Sequence, residues 1–95
     1  MEFIQVVQFE TSNIDEVIAI ARGGYPDGAV KPSSVTVMKD RDRPNGYATL
    51  LRFDSYEDAM THSESDSTHE RVARLAPLMG ERRFYNLDII DEYQP

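Results

Sequence analysis

The sequence predicts a single α+β domain over residues 1–95, with the element order β-α-β-β-α-β. Three observations support this prediction: strand-like segments of alternating apolar residues, two helix-like segments opened by capping side chains, and connections rich in Gly and Pro. A chain of 95 residues is long enough for one domain only. The core of such a small domain is thin and gains from a partner.

The first predicted strand, residues 3–10, has apolar side chains on both faces. A strand of this kind needs a cover on each side. Helices of the same chain supply one cover, and a second sheet supplies the other. We therefore expect the open face of the sheet to pack against another copy of the protein. The apolar residues are Ile4 and Val6 on one face, and Phe3, Val7 and Phe9 on the other.

The first helix is predicted to begin after the capping side chain of Asn13 and to end at the glycine pair 23–24. A loop rich in Pro and Gly leads to a second strand over residues 34–39. The Asn-Gly pair at 45–46 ends a charged connection and indicates a hairpin turn. A third strand follows over residues 47–53.

The second helix is predicted to begin after the cap Ser55 and to break near residues 64–66. A second cap, Ser67, opens its later half, which Pro77 and Gly80 close.

A last strand is predicted over residues 82–90, followed by a tail or an arm onto a neighbour over residues 91–95. Two strand-helix-strand units then give a four-stranded antiparallel sheet with both helices on one face. This is the ferredoxin-like arrangement.

Composition narrows the classes of partner and compartment. The net charge is -7, from 17 acidic and 10 basic residues, which disfavours nucleic acid and anionic membranes. We therefore expect a neutral or apolar ligand, or another copy of the chain. The sequence has no cysteine, no apolar run long enough to span a bilayer and no leader-like start, so we expect a cytoplasmic protein.

The start of the second helix carries a family resemblance. Its pattern is Phe53-Asp54-Ser55, then His62, then the Ser-x-His step at 67–69, with Leu-Ala-Pro-Leu at 75–78. This pattern resembles the antibiotic biosynthesis monooxygenase-like proteins of the dimeric α+β barrel superfamily. The resemblance implies a homodimer whose sheets form a barrel, with an apolar pocket between sheet and helices in each subunit. It further implies oxidation of a small phenolic or quinol-like compound by O₂, with no cofactor and no metal.

The haem-degrading branch of that superfamily has an Asn on the first strand, and a Trp and a His on the second helix. By ungapped comparison those places hold Val7, His62 and Arg71 here, and none of them matches. The resemblance therefore argues against haem breakdown. The first helix, cut short at residues 23–24, also departs from the longer helix usual in the family.

His62 and His69 are the only histidines and are the predicted catalytic residues. Each could act as a general base or proton shuttle, because histidine titrates near neutral pH. The alternative is that each lies on the solvated side or only forms structural hydrogen bonds. A metal site from His62, Asp66 and His69 is a further hypothesis, which depends on their converging across the helix break.

Five residues are predicted to bind the substrate: two tyrosines that offer phenols, an arginine able to stabilise an anion, a phenylalanine where the resembled family commonly has Trp, and a methionine on the inward face of its helix. The alternative for the tyrosines is a core or interface position, and for the arginine a surface ion pair. The five are Tyr25, Tyr47, Arg52, Phe53 and Met60.

Two functions stay open at this point. One is a cofactor-independent monooxygenase-like enzyme in which a base such as His62 removes a proton from the substrate. The other is a non-catalytic dimeric module that binds a small ligand or a protein. An enclosed cavity that touches His62 favours the enzyme, and a filled one favours the module.

Overall fold

Two strand-helix-strand units build the fold of the computed structural model, which describes residues 1–95. The four strands form one antiparallel sheet in the order β2-β3-β1-β4, which confirms the predicted ferredoxin-like topology. No helix is long and apolar enough to cross a membrane. The elements are β1 (Phe3–Glu10), α1 (Ile14–Arg22), β2 (Ser34–Lys39), β3 (Gly46–Phe53), α2 (Tyr56–Glu64), α3 (Asp66–Leu75), a 3₁₀ turn (Ala76–Leu78) and β4 (Arg83–Asp88).

The sheet register decides which side chains meet the helices. Phe3 pairs with Phe53 across β1 and β3, so both point to the same face. Together with Ala59 of α2 they form a fully buried cluster. Phe9, at the other end of β1, is buried on the same face near Val17 of α1. The core is therefore concentrated at two places on the helix-covered face.

The opposite face of the sheet is apolar at its centre, and no helix covers it. Its centre holds Ile4, Val6 and Leu50, and its edge strand β4 exposes Tyr85 and Leu87. Glu92 of the C-terminal segment reaches this face at Arg52. The chain has an accessible surface of 6688 Å², whereas a folded monomer of this mass exposes about 5,500 Å² by the usual size scaling. The open face and the exposed C-terminal segment both contribute to this surplus.

Local sequence signals explain where the first helix begins and ends. The Oδ1 atom of Asn13 accepts from the Glu16 backbone N–H at 3.2 Å, and Nδ2 of Asn13 donates to the Glu16 carboxylate at 2.8 Å. This is the predicted cap. The helix ends at Arg22, and the next glycine pair includes Gly24 at φ +81°, a conformation that favours glycine.

The structure corrects three of the predicted boundaries. The cap of α3 is Ser65 and not Ser67: its Oγ accepts from the Thr68 N–H at 3.3 Å. The same Oγ donates to the His62 carbonyl at 2.8 Å, so one hydroxyl serves the end of α2 and the start of α3. The α-helix stops at residue 75, before the 3₁₀ turn that contains Pro77, and the last strand covers only residues 83–88.

Candidate functional site

A cavity of about 520 Å³ lies between the sheet and the helices. Helix α3 packs mainly against α1 and α2, and the space that it leaves above the sheet forms the cavity. The wall is predominantly apolar, which is typical of a small-molecule site. Its apolar members include Val7, Phe9, Val17, Leu51, Val72 and Leu75.

His62, in the last turn of α2, forms part of this wall and is only 7% exposed. Its Nδ1 atom lies 3.1 Å from the carbonyl oxygen of Val30. A carbonyl only accepts, so the neutral ring carries its proton on Nδ1 and leaves the lone pair on Nε2. The hydroxyl of Thr68 lies 3.4 Å from Nε2. His62 is thus fixed in the tautomer that presents a basic nitrogen.

The surroundings of His62 also set its charge. Burial lowers the pKa of His62 below 6.5, and the positive charge of Arg71 acts in the same direction. The hydrogen bond to the Val30 carbonyl opposes these effects without cancelling them. His62 is therefore neutral at neutral pH and is able to accept a proton.

Arg71 of α3 is the residue of this site that the sequence analysis did not select as functional. It is 8% exposed, and its Nε and Nη2 atoms donate to the carbonyls of Gly23 and Gly24 at 3.3 and 2.9 Å. Its guanidinium lies 4.2 Å from the centroid of the Tyr25 ring, which in turn stacks on His62 at 6.2 Å. The residue is one helical turn from Thr68 and Leu75, and this spacing is the signal that could have placed it inward.

Comparison with known proteins gives a match at the level of structure. No family model matches the chain, and no protein of curated function matches it. A proposed antibiotic biosynthesis monooxygenase from Chloroflexus aurantiacus J-10-fl superposes with TM-score 0.76 at 16% identity, over 99% of this chain and 98% of that one. SnoaB, a cofactor-independent oxygenase from Streptomyces nogalater, superposes with TM-score 0.75 at 14% identity, over 96% of this chain and 95% of SnoaB. A dimeric ferredoxin-like protein of unknown function from Thermobifida fusca YX superposes with TM-score 0.74 at 12% identity, over 94% of this chain and 92% of that protein.

The chain has the fold of the antibiotic biosynthesis monooxygenase-like proteins. This confirms the resemblance first seen in the sequence pattern. At such low identity the likeness extends to the fold alone. The role of the cavity therefore depends on the side chains that this chain places in it.

Within this monooxygenase-like fold, the predicted site residues fall into two groups. Tyr25 and His69 lie in the cavity wall with His62, although His69 is exposed to solvent. Phe53 and Met60 lie outside the wall: Phe53 is fully buried in the core, and Met60 packs against that cluster. Phe53 nevertheless packs against His62, since the centroids of the two rings are 5.4 Å apart.

Tyr47 and Arg52 are placed away from the cavity. The Tyr47 ring stacks on Phe9 with centroids 5.9 Å apart, beneath the amino group of Lys39 at 4.7 Å. Arg52 points to the open face of the sheet, since it alternates with residues of the cavity side along β3. It pairs there with Glu92 at 2.9 Å and Glu2 at 3.6 Å. The surface ion pair that was the alternative for Arg52 is what the structure contains.

The three residues considered as metal ligands do not come together. His62 is buried in the wall, while Asp66 and His69 are exposed on α3. No group of three histidine or carboxylate side chains is arranged to hold a metal ion. The buried polar side chains of the cavity wall are His62 and Arg71, and the phenol of Tyr25 lies beside them.

Proposed function

We propose that this protein is a cofactor-independent monooxygenase-like enzyme that acts on a small phenolic or quinol-like compound held in the cavity. One observation carries the proposal: a histidine held neutral, in a defined tautomer, in the wall of an apolar cavity of about 520 Å³. A cavity of this size suits a small organic ligand. The shared fold with SnoaB, a cofactor-independent oxygenase, supports the same reaction class.

In the proposed reaction, Nε2 of His62 accepts the proton of a substrate hydroxyl. The resulting anion is electron-rich and transfers electrons directly to O₂, with formation of a bond between a ring carbon and oxygen. Loss of water from the carbon-bound hydroperoxide leaves a carbonyl. One oxygen atom enters the product and the other leaves as water, and the substrate supplies all the electrons. The overall change, phenol plus O₂ to quinone plus water, is balanced without an added reductant.

The proposal includes a homodimer formed through the open sheet face. The Thermobifida fusca protein of the same fold is described as dimeric. In this chain, the apolar centre formed by Ile4, Val6 and Leu50 has no cover of its own. Burial of that face against its copy would stabilise both subunits by about 25 cal/mol for each Å² of apolar surface removed from water.

Oxygen uptake tests the enzymatic proposal directly. We would supply hydroquinones and phenols with a single ring, two fused rings or three fused rings, and follow O₂ consumption with an electrode. The His62→Asn variant retains an amide able to donate to the Val30 carbonyl but lacks the basic nitrogen, so we expect a loss of about 100-fold or more in rate. The matched control is Glu64→Gln, an exposed position on the same helix outside the wall. Absence of uptake with every compound, or equal rates in both variants, contradicts the proposal.

One observation favours the second candidate, a non-catalytic ligand-binding module. The hydroxyl of Thr68 lies 3.4 Å from Nε2 and 3.5 Å from Nδ1 of His62, so it covers the edge of the ring between the two nitrogens. A hydroxyl in this place obstructs the approach of a substrate to Nε2. Saturable ligand binding without oxygen uptake, unchanged in Thr68→Val, would favour the module.

A further inference from the structure

The charges in the cavity wall are of one sign, in contrast to the rest of the molecule. The chain has 17 acidic residues and only 10 Lys or Arg. The wall nevertheless includes no carboxylate, and its permanently charged side chains are Arg71 and Arg82. The surface therefore carries most of the negative charge, while the cavity is positive. The whole-chain charge alone had favoured a neutral ligand, and the local distribution does not.

Arg71 is a buried charge that has no counter-ion within the chain. The ion pairs of the structure involve Arg43 and Arg52, and none involves Arg71. The partners of Arg71 are neutral: two backbone carbonyls and the face of Tyr25. A buried charge is costly unless it is paired, so this site is electrostatically incomplete.

The hydrogen bonds of Arg71 leave part of its guanidinium free. They use Nε and Nη2, and Nη1 has no protein acceptor. Nη1 is not sealed from solvent, because the structure contains no buried side-chain nitrogen that lacks a partner. Arg71 belongs to the cavity wall, and the N–H groups of Nη1 are the part of its guanidinium that no protein acceptor uses. The carbonyls of Gly23 and Gly24 hold the guanidinium in one orientation, which reduces the entropy lost on binding.

We infer that the natural ligand is an apolar compound that carries an anionic group such as a carboxylate, and that Arg71 binds this group through Nη1. The inference rests on the proposed function, because it assigns the substrate class of the same cavity. Apolar wall residues bury the ring system, and the guanidinium fixes one end of it. Tyr25 stacks on both Arg71 and His62, so the anion-binding group and the base both lie against one aromatic ring.

The coupling between Arg71 and His62 gives a second signature of the bound anion. The charge of Arg71 contributes to the lowered pKa of His62. The other groups that face His62 are the Tyr25 ring, the Val30 carbonyl and the Thr68 hydroxyl, none of which is charged at neutral pH. An anion bound to Arg71 would offset its charge and raise the pKa of His62 towards its ordinary value.

The test compares two isosteric probes, 2-naphthoate and 2-naphthamide, by isothermal titration calorimetry on the full chain. We expect the wild type to bind the carboxylate about 10- to 100-fold more tightly than the amide, as a hydrogen bond to a charged group predicts. The preference should disappear in Arg71→Met, which keeps an unbranched apolar stem. It should persist in Arg74→Met, an exposed arginine on the same helix outside the wall.

A measurement on the unsubstituted protein covers the case in which Arg71→Met does not fold. The NMR titration of His62 should shift to higher pH with 2-naphthoate bound and stay unchanged with 2-naphthamide. Equal affinity for the two probes, or a preference that is lost in Arg82→Met but kept in Arg71→Met, overturns the inference. Equal affinity leaves the proposed function intact, because a neutral phenol would still bind. Failure of both probes to bind contradicts the inference and the proposed cavity site together.

Discussion

A lysine at Val6 should weaken the proposed dimer by roughly 1,000-fold while leaving the subunit folded. Val6 lies at the centre of the open face, on the strand flanked by β3 and β4. A standard interface buries roughly 800 Å² on each partner, and the exposed apolar side chains of this face include Tyr85 and Leu87. In a two-fold dimer the substitution occurs twice across one interface. The effect on association is therefore doubled.

The loss of association free energy in Val6→Lys follows from the apolar surface that is no longer buried. Exposing one valine costs about 1.5 to 3 kcal/mol, and desolvation of a lysine adds to this. Two copies give at least about 4 kcal/mol, which is roughly a 1,000-fold weaker association constant. Sedimentation equilibrium measures this constant, and circular dichroism checks that the subunit is folded. Ala19→Lys adds the same charge on the exposed side of α1 and serves as the control.

Two results would refute this reasoning. The first is a wild type that stays monomeric at every concentration up to its solubility limit. The second is a Val6→Lys variant that associates as tightly as Ala19→Lys.

Two further predictions concern the helix break and the buried histidine. Ser65→Ala should lower the free energy of unfolding by about 1 to 2 kcal/mol, because the residue caps α3 and also bonds the end of α2, whereas Ser67→Ala should cost much less. Urea unfolding measures both, and equal losses would contradict the assigned cap. Since burial lowers the folded pKa of His62, the unfolded chain binds the proton more tightly, and wild-type stability should fall relative to His62→Asn as pH drops below about 6.5. Thermal unfolding across this range checks the sign, and a difference that does not depend on pH would contradict the burial argument.

The strands and the topology were predictable because their signals are local. Alternation of apolar residues indicated the faces of β1 and β3, and the turn at residues 45–46 indicated that β2 pairs with β3 as a hairpin. The turn itself differs in detail: Asn45, at φ +61°, has the left-handed conformation, and Gly46 already belongs to β3. The helix cap at Asn13 was equally predictable, because its hydrogen bond to Glu16 spans only three residues of the sequence.

The break between α2 and α3 shows where local signals fail. Ser65 and Ser67 are both good caps, and Ser67 has the glutamate three residues later that a capping box prefers. The structure uses Ser65 because its hydroxyl also reaches the His62 carbonyl at the end of α2. That second bond depends on the angle between two helices, which the sequence pattern does not encode.

The candidate site was only partly predictable for a similar reason. His62 followed from a family pattern, and Tyr25 from its chemistry. Arg71 was not selected, because a lone arginine on a helix is usually solvated. Its burial depends on the carbonyls of Gly23 and Gly24, which lie nearly 50 positions away in sequence. Contacts of this range arise from tertiary packing alone.

The cavity raises an energetic question that bears on function. The cavity of about 520 Å³ is open to solvent on one side, so water fills it when no ligand is bound. Water gains little from walls such as Val7, Val17 and Leu75, so an apolar ligand that displaces it should stabilise the fold in proportion to its affinity. In the proposed dimer, burial of the other sheet face would add stability to a subunit whose helix-covered face has only a small buried core.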